Sequence, residues 1–338
     1  MNNGTNLKAP FPWFGGKRRV ASQVWEAFGN VDNYVEPFAG SLAVLLDRPT
    51  EPKTETVNDA DCYLSNFWRA ITAAPDQVAA LCDFPVNECD LLARHLWLVN
   101  EGKRRIERME SEPDFYDVKV AAWWVWGINQ WIGSGWCTGE GPWVKDGEAV
   151  RQLPHLGDPG RGVNRKRPDL GGTNGGGRGV HRTSLEKDDA LRDYFRQLAD
   201  RLRRVRVCCG DWARIVTDGA LSYGETVGVF LDPPYQGDVR AKDLYRVDNH
   251  DISNAVREWA LANGNNTRYR IVLAGYNAEH VAYMPSDWRI LAYTGNKCYG
   301  TTAAIGTKKG NDANRHNERL WFSPHCLRPD SERQGVIL

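Results

Sequence analysis

No stretch of the chain approaches the run of about 18 apolar residues that a membrane-spanning helix needs. The opening residues, MNNGTNLKAPFPWFGGK, contain no apolar core of the kind a secretory signal carries. A cytoplasmic protein without a membrane partner is therefore expected. Cysteine is too sparse for a disulfide scaffold, and none of Cys62, Cys82, Cys89, Cys137, Cys208, Cys209, Cys298 and Cys326 forms a CxxC pair. With only seven scattered histidines, the short-spaced ligand sets of zinc sites are missing as well. Reduced thiols and no metal are the expectation. There is no GxGxxG, which argues against a nicotinamide-dependent oxidoreductase. Net charge is also absent, the 43 basic residues being balanced by 43 acidic ones.

What is present is an ordinary globular composition, 41% hydrophobic and 25% charged, which excludes a wholly disordered or fibrous chain. At about 150 residues per domain, 338 residues suggest two units, or one large α/β domain carrying an insertion. The neutral total hides one basic zone. Between Arg161 and Arg206 there are 13 Lys/Arg against 6 Asp/Glu. Such a zone fits either polyanion binding or a solvated helix face beside a basic loop.

Both ends of the chain show α/β order. Asn33–Glu36 leads into the turn Pro37-Phe38-Ala39-Gly40, and Ser41–Asp47 reads as helix. Glu55–Asn58 reads as a short strand. Asp61 is placed to cap a helix from Cys62 to about Ala73, with Leu64, Phe67, Trp68 and Ile71 on one face. Leu191, Tyr194, Phe195, Leu198 and Leu202 mark an amphipathic helix that feeds the apolar run 205–209. Val227–Leu231 has the continuous apolar pattern of a strand buried on both faces. Ile252–Ala262 reads as helix and Arg270–Ala274 as another buried strand; 288–293 and 319–322 are expected to close the sheet, antiparallel. Alternating helices and short buried strands imply a doubly wound, mostly parallel sheet. Between the two ends the rhythm breaks. Ala121–Trp143 holds six tryptophans, and Pro154–Thr183 is rich in Gly, Arg and Asn. Residues 75–190 are expected to form a helical insertion followed by a flexible basic loop, with the tryptophans as its core.

Four segments combine unusual chemistry with expected strand ends, where open α/β sheets bind ligands. In Glu36-Pro37-Phe38-Ala39-Gly40-Ser41, a small-residue turn exposes backbone N–H groups, or merely ends a strand. In Asn58-Asp59-Ala60-Asp61, Asp59 falls 19 residues after Gly40, where a doubly wound fold places its ribose-binding acid. A carboxylate accepts from two hydroxyls. Asp61 is assigned to the helix cap instead. Cys209-Gly210-Asp211-Trp212 offers an acceptor and a flat ring for an adenine, or a second cap beside a core tryptophan. Leu231-Asp232-Pro233-Pro234-Tyr235 is the sharpest signal: a buried strand delivers a carboxylate, and two prolines remove two N–H donors. The acceptors left, the Asp232 carboxylate and the Pro233 carbonyl beside the Tyr235 ring, suit a ligand with an amino group on a planar ring.

Together with Pro12-Trp13-Phe14-Gly15-Gly16-Lys17, these motifs resemble the Dam-type DNA methyltransferases that modify amino groups with S-adenosylmethionine (SAM). Their order is that of the family's alpha group, with recognition sequence inserted before the DPPY segment. The resemblance covers about 1–75 and 186–325. It implies a seven-stranded SAM-methyltransferase sheet formed by those residues, a target-recognition region at 76–185 with a flexible loop at 157–182, and a tail at 326–338. It implies SAM contacts at Trp13, Gly16, Lys17, Phe38, Ala39, Gly40, Asp59, Asp211, Trp212 and Asp232, with Lys17 pairing with the SAM carboxylate. It implies catalysis by Asp232, Pro233 and Tyr235 on an adenine flipped out of double-stranded DNA. Arg161, Arg165, Lys166, Arg167, Arg178 and Arg182 are then candidate DNA contacts. Ala39 stands where many members carry glycine or another small residue, and 111–182 departs most. Cytosine N4 and RNA adenine are the alternative targets, and a catalytically silent nucleic-acid-binding protein is the alternative class.

Overall fold

The computed structural model describes residues 7–13, 15–112, 114–131, 136–137, 143–146, 149–152, 186–234, 249–293 and 318–329. The strands are β1 (Asn33–Glu36), β2 (Thr54–Asp59), β3 (Trp143–Asp146), β4 (Ala149–Gln152), β5 (Val205–Cys209), β6 (Val227–Leu231), β7 (Tyr269–Tyr276), β8 (Arg289–Ala292) and β9 (Glu318–Phe322). Seven of them form one sheet in the order β5-β2-β1-β6-β7-β9-β8. The first five in that order run parallel; β9 lies antiparallel to both β7 and β8. β3 and β4 form a separate antiparallel pair.

The described residues pack as two compact units. One contains Gly15–Ala60 and most of the chain beyond Arg204, and holds the seven-stranded sheet. Every residue of β1 and β6 is buried, as the continuous apolar run 227–231 requires. On one face Val35, Val229, Leu231, Ile271 and Leu273 pack with Val256 and Ala260 of the helix Asn249–Asn263. Helix Ala21–Phe28 also belongs to this unit, its Trp25 ring 4.9 Å from Tyr34 and its indole N–H donating to the Val44 carbonyl at 2.7 Å. Gly228 of β6 admits Phe28: a Cβ there would lie 3.1 Å from its ring. The helix expected from Ser41 begins only at Ala43, because Gly40 and Leu42 hold left-handed φ values of 48° and 55°.

The second unit contains 7–13 and the described residues of Asp61–Arg203. Its main helices are Cys62–Ala73, Pro75–Cys82, Glu88–Trp97, Val118–Ile128 and Glu186–Leu202. Asp61 caps the first, accepting from Tyr63 N–H at 2.8 Å and Leu64 N–H at 3.3 Å. Asn87 and Asp117 cap the third and fourth in the same way. Trp124, Trp126, Trp131 and Trp136 are buried, in keeping with a tryptophan core. Phe11 packs edge-on to Phe67 and Trp124 in that core. Among the described residues no helix is long and apolar enough to cross a membrane, and no group of His, Cys, Asp and Glu could hold a metal ion.

Candidate active site

The parallel arrangement brings the carboxyl ends of β5, β2, β1 and β6 to one edge of the sheet, on four adjacent strands. The strand order reverses between β1 and β6, which is where open sheets leave a ligand crevice. Asp232 follows β6 directly with its side chain 18% exposed, and Pro233 after it is buried. Across from Asp232 stands Lys17, its ammonium 2.9 Å from Asp232 Oδ1 and its side chain only 6% exposed. The Lys17 ammonium also donates to the Gly15 carbonyl at 2.8 Å. Gly15 adopts φ 74°, a conformation that disfavours other residues. A charge pair so far removed from water persists only when both partners are hydrogen-bonded and close, as here.

The loop after β1 starts from Glu36, a residue the sequence marks only as part of a motif. Its carboxylate side chain is buried and accepts from the Tyr34 hydroxyl at 2.9 Å. Burial pushes this carboxyl well above the ordinary range; the Tyr34 bond opposes the rise, and the charges of Asp232 and Asp59 add to it.

The neighbouring loops are tied to β2. Gly40 N–H donates to Asp59 Oδ2 at 2.9 Å, and Ala39 N–H to the Asn58 carbonyl at 2.9 Å. Gly210, after β5, donates its N–H to the Asp59 carbonyl at 3.1 Å. Asp211 accepts from Ala213 N–H at 2.8 Å and so caps the short turn Trp212–Ile215. The Trp212 ring is buried and stacks on Phe38, with centroids 6.1 Å apart and planes 29° apart.

Of the residues expected from sequence, Gly16, Lys17, Phe38, Ala39, Gly40, Asp59, Asp211, Trp212, Asp232 and Pro233 all lie in the sheet unit. Contacts join Lys17 to Asp232, Gly40 to Asp59, and Phe38 to Trp212. Trp13 lies in the other unit, edge-on to Phe11 at 6.0 Å. Tyr235 and the basic set Arg161, Arg165, Lys166, Arg167, Arg178 and Arg182 lie outside the described residues. Two residues were not assigned roles from sequence: Glu36, whose environment is made by burial, and Asn58, whose amide points at two loops. The only signal for either was its place in a motif.

The site thus offers an ammonium, carboxylates and backbone acceptors at a sheet edge with a tight glycine turn. Residues 13–94, which include Lys17, the turn after β1 and Asp59, match the model of the family described as D12 class N6 adenine-specific DNA methyltransferase. No curated protein matches the chain. That match spans about a quarter of the chain, and the mostly parallel seven-stranded sheet is consistent with an α/β methyltransferase fold.

Proposed function

We propose that this protein transfers the methyl group of SAM to the N6 amine of an adenine flipped out of double-stranded DNA. The donor set suits the cofactor. Asp59 ends β2 as an acceptor for hydroxyls, Gly40 gives a close backbone turn, and Lys17 is a buried cation within reach of a carboxylate. When bound, SAM supplies an electrophilic methyl group on a sulfonium. The chain's part is to prepare the amine, which is a poor nucleophile because its lone pair is delocalised into the ring.

Asp232 and the Pro233 carbonyl would accept hydrogen bonds from the two amine N–H groups, so the nitrogen is free to become tetrahedral as the N–C bond forms and the methyl–sulfur bond breaks, the sulfur leaving as a neutral thioether and the surplus proton being released from the methylated nitrogen. Pro233 and Pro234 have no N–H to compete for those acceptors. Lys17 fixes the Asp232 carboxylate through the 2.9 Å contact. Tyr235 is proposed to stack on the base. Holding both reactants in line supplies much of the acceleration. Flipping the base out costs about a few kcal/mol. Contacts from Arg161, Arg165, Lys166, Arg167, Arg178 and Arg182 to the phosphate backbone would help to repay it.

The observation that carries this reading is Asp232 at the end of the buried strand β6, followed by two prolines, in a chain with the family match. Purified protein incubated with SAM and unmethylated DNA of mixed sequence, followed by nucleoside mass spectrometry, tests it. N6-methyladenine is the expected product. N4-methylcytosine overturns the base assignment. No methylated nucleoside from protein that binds SAM overturns the activity.

A further inference from the structure

Asn58 stands one residue before Asp59 and is 1% exposed, too enclosed to touch a ligand itself. Its Nδ2 donates to two backbone carbonyls, Pro37 at 3.1 Å and Gly210 at 2.9 Å. Pro37 begins the loop after β1, and Gly210 begins the loop after β5. The backbone beside Asn58 repeats the connection, through Ala39 N–H to the Asn58 carbonyl and Gly210 N–H to the Asp59 carbonyl. The Asp59 carboxylate adds Gly40 N–H. The ends of three adjacent strands are thereby laced together around one side chain.

The residue type follows from the acceptors. Two carbonyls need two N–H donors, and a carboxamide supplies both from one nitrogen. An aspartate would face both carbonyls with a negative oxygen, and a serine has a single donor. The buried Asn58 Oδ1 has no hydrogen-bond partner among the described residues. The amide is therefore oriented by its donors, which outweigh an unmet acceptor. The same two loops meet again at the Phe38–Trp212 stack. A polar tie and an aromatic tie span one gap.

We infer that Asn58 is a positioning residue. It sets the spacing between the Phe38–Gly40 loop and the Gly210–Trp212 loop, acting through the Pro37 and Gly210 carbonyls, and thereby sets how tightly the site holds SAM. The consequence for SAM rests on the function proposed above; the tie between the loops does not.

The test compares Asn58→Asp with wild type by hydrogen exchange on the ligand-free protein, by SAM calorimetry and by turnover. Amides of Ala39, Gly40 and Gly210 are expected to exchange about tenfold faster or more, while those of Val229, Phe230 and Leu231 keep their rates. The SAM Kd is expected to rise about tenfold or more, with kcat at saturating SAM within about threefold. Asn58→Ser, with its single donor, should fall between wild type and Asn58→Asp, and replaces that variant should it fail to fold. Unchanged exchange in the two loops overturns the inference. So does acceleration that includes β6, which would make Asn58 a general stability residue, and so does wild-type SAM affinity in a folded variant with loosened loops. Absence of SAM binding by the wild-type protein would instead sink the proposed function, and the exchange data would still decide the tie.

Discussion

The ammonium of Lys17 sits 2.9 Å from Oδ1 of Asp232, two residues 215 positions apart in sequence and both largely shielded from water. On the sequence resemblance Lys17 was expected to pair with the SAM carboxylate. In the structure it pairs with Asp232, the residue proposed to bind the amine. Asp232→Ala should keep measurable SAM binding and lose turnover by about a hundredfold or more. Lys17→Met should lose turnover too, and should cost about 3 kcal/mol of stability by leaving a carboxylate without its ammonium. In the Lys17→Met, Asp232→Asn double variant that cost should be smaller than the sum of the single ones. Strict additivity in urea unfolding would show that the pair is not coupled.

Asp59, proposed to bind the SAM ribose, and Asp61, which caps a helix, lie within three residues of each other. Asp61→Ala removes the cap of the helix Cys62–Ala73 and should cost about 1 kcal/mol of stability with little change in SAM Kd. Asp59→Ala should weaken SAM binding about tenfold or more, since it removes the acceptor and releases the Gly40 N–H. Thermal unfolding and calorimetry on both variants would show the roles exchanged if the assignment is wrong.

Acid should destabilise the protein well above the carboxylate range. Burial lowers the His95 imidazole from 6.5 to about 4; burial, aided by the Arg257 charge, does the same at His280. In the unfolded chain both take protons as pH falls through 6.5, whereas the folded protein keeps them neutral until about pH 4. Their stabilising contribution is thus complete above pH 6.5 and is lost between 6.5 and 4. The gap corresponds to about 3 kcal/mol per histidine. His95→Phe preserves a ring against Trp131, which His95 stacks on at 4.8 Å. Between pH 7.5 and 5 this variant should lose about 2 kcal/mol less than wild type in urea unfolding. Parallel pH curves would contradict the assignment.

Gly127 is a packing position. A methyl group there would fall within the ring of Trp136, whose indole N–H donates to the Trp124 carbonyl at 3.1 Å. Gly127→Ala should cost about 1–3 kcal/mol, measured as a lower denaturation midpoint. A neutral result would mean that the Trp136 ring moves aside freely.

The sheet was legible because its strands advertise burial. The run Val227–Leu231 and the expected pairing of the last two strands correspond to β6, β8 and β9 as observed. The Asp61 cap was legible because an acidic residue preceded a helical apolar pattern. The helix from Ser41 was shorter than its pattern suggested, since left-handed backbone at Gly40 and Leu42 delays it. Asp211 and Trp212 carried two readings in sequence. The structure gives Asp211 the Ala213 N–H and puts Trp212 in the core against Phe38. The roles of Glu36 and Asn58 were not legible. One depends on burial and nearby charge, the other on carbonyls contributed by residues 37 and 210.

By itself, the sequence determined the class of fold and the chemical inventory of the site: buried parallel strands, a glycine turn, Asp59, Lys17 and the Asp-Pro-Pro segment. Those are local properties, written in apolar runs, spacing and residue type. Tertiary structure alone decided the partnerships: Lys17 with Asp232, Gly40 with Asp59, and Asn58 with two loops at once. Hydrogen bonds and charge pairs depend on distance and burial. The sheet order β5-β2-β1-β6, which brings residues 17, 36, 59, 210 and 232 to one edge, is set by packing across the whole unit and not by neighbours in the chain.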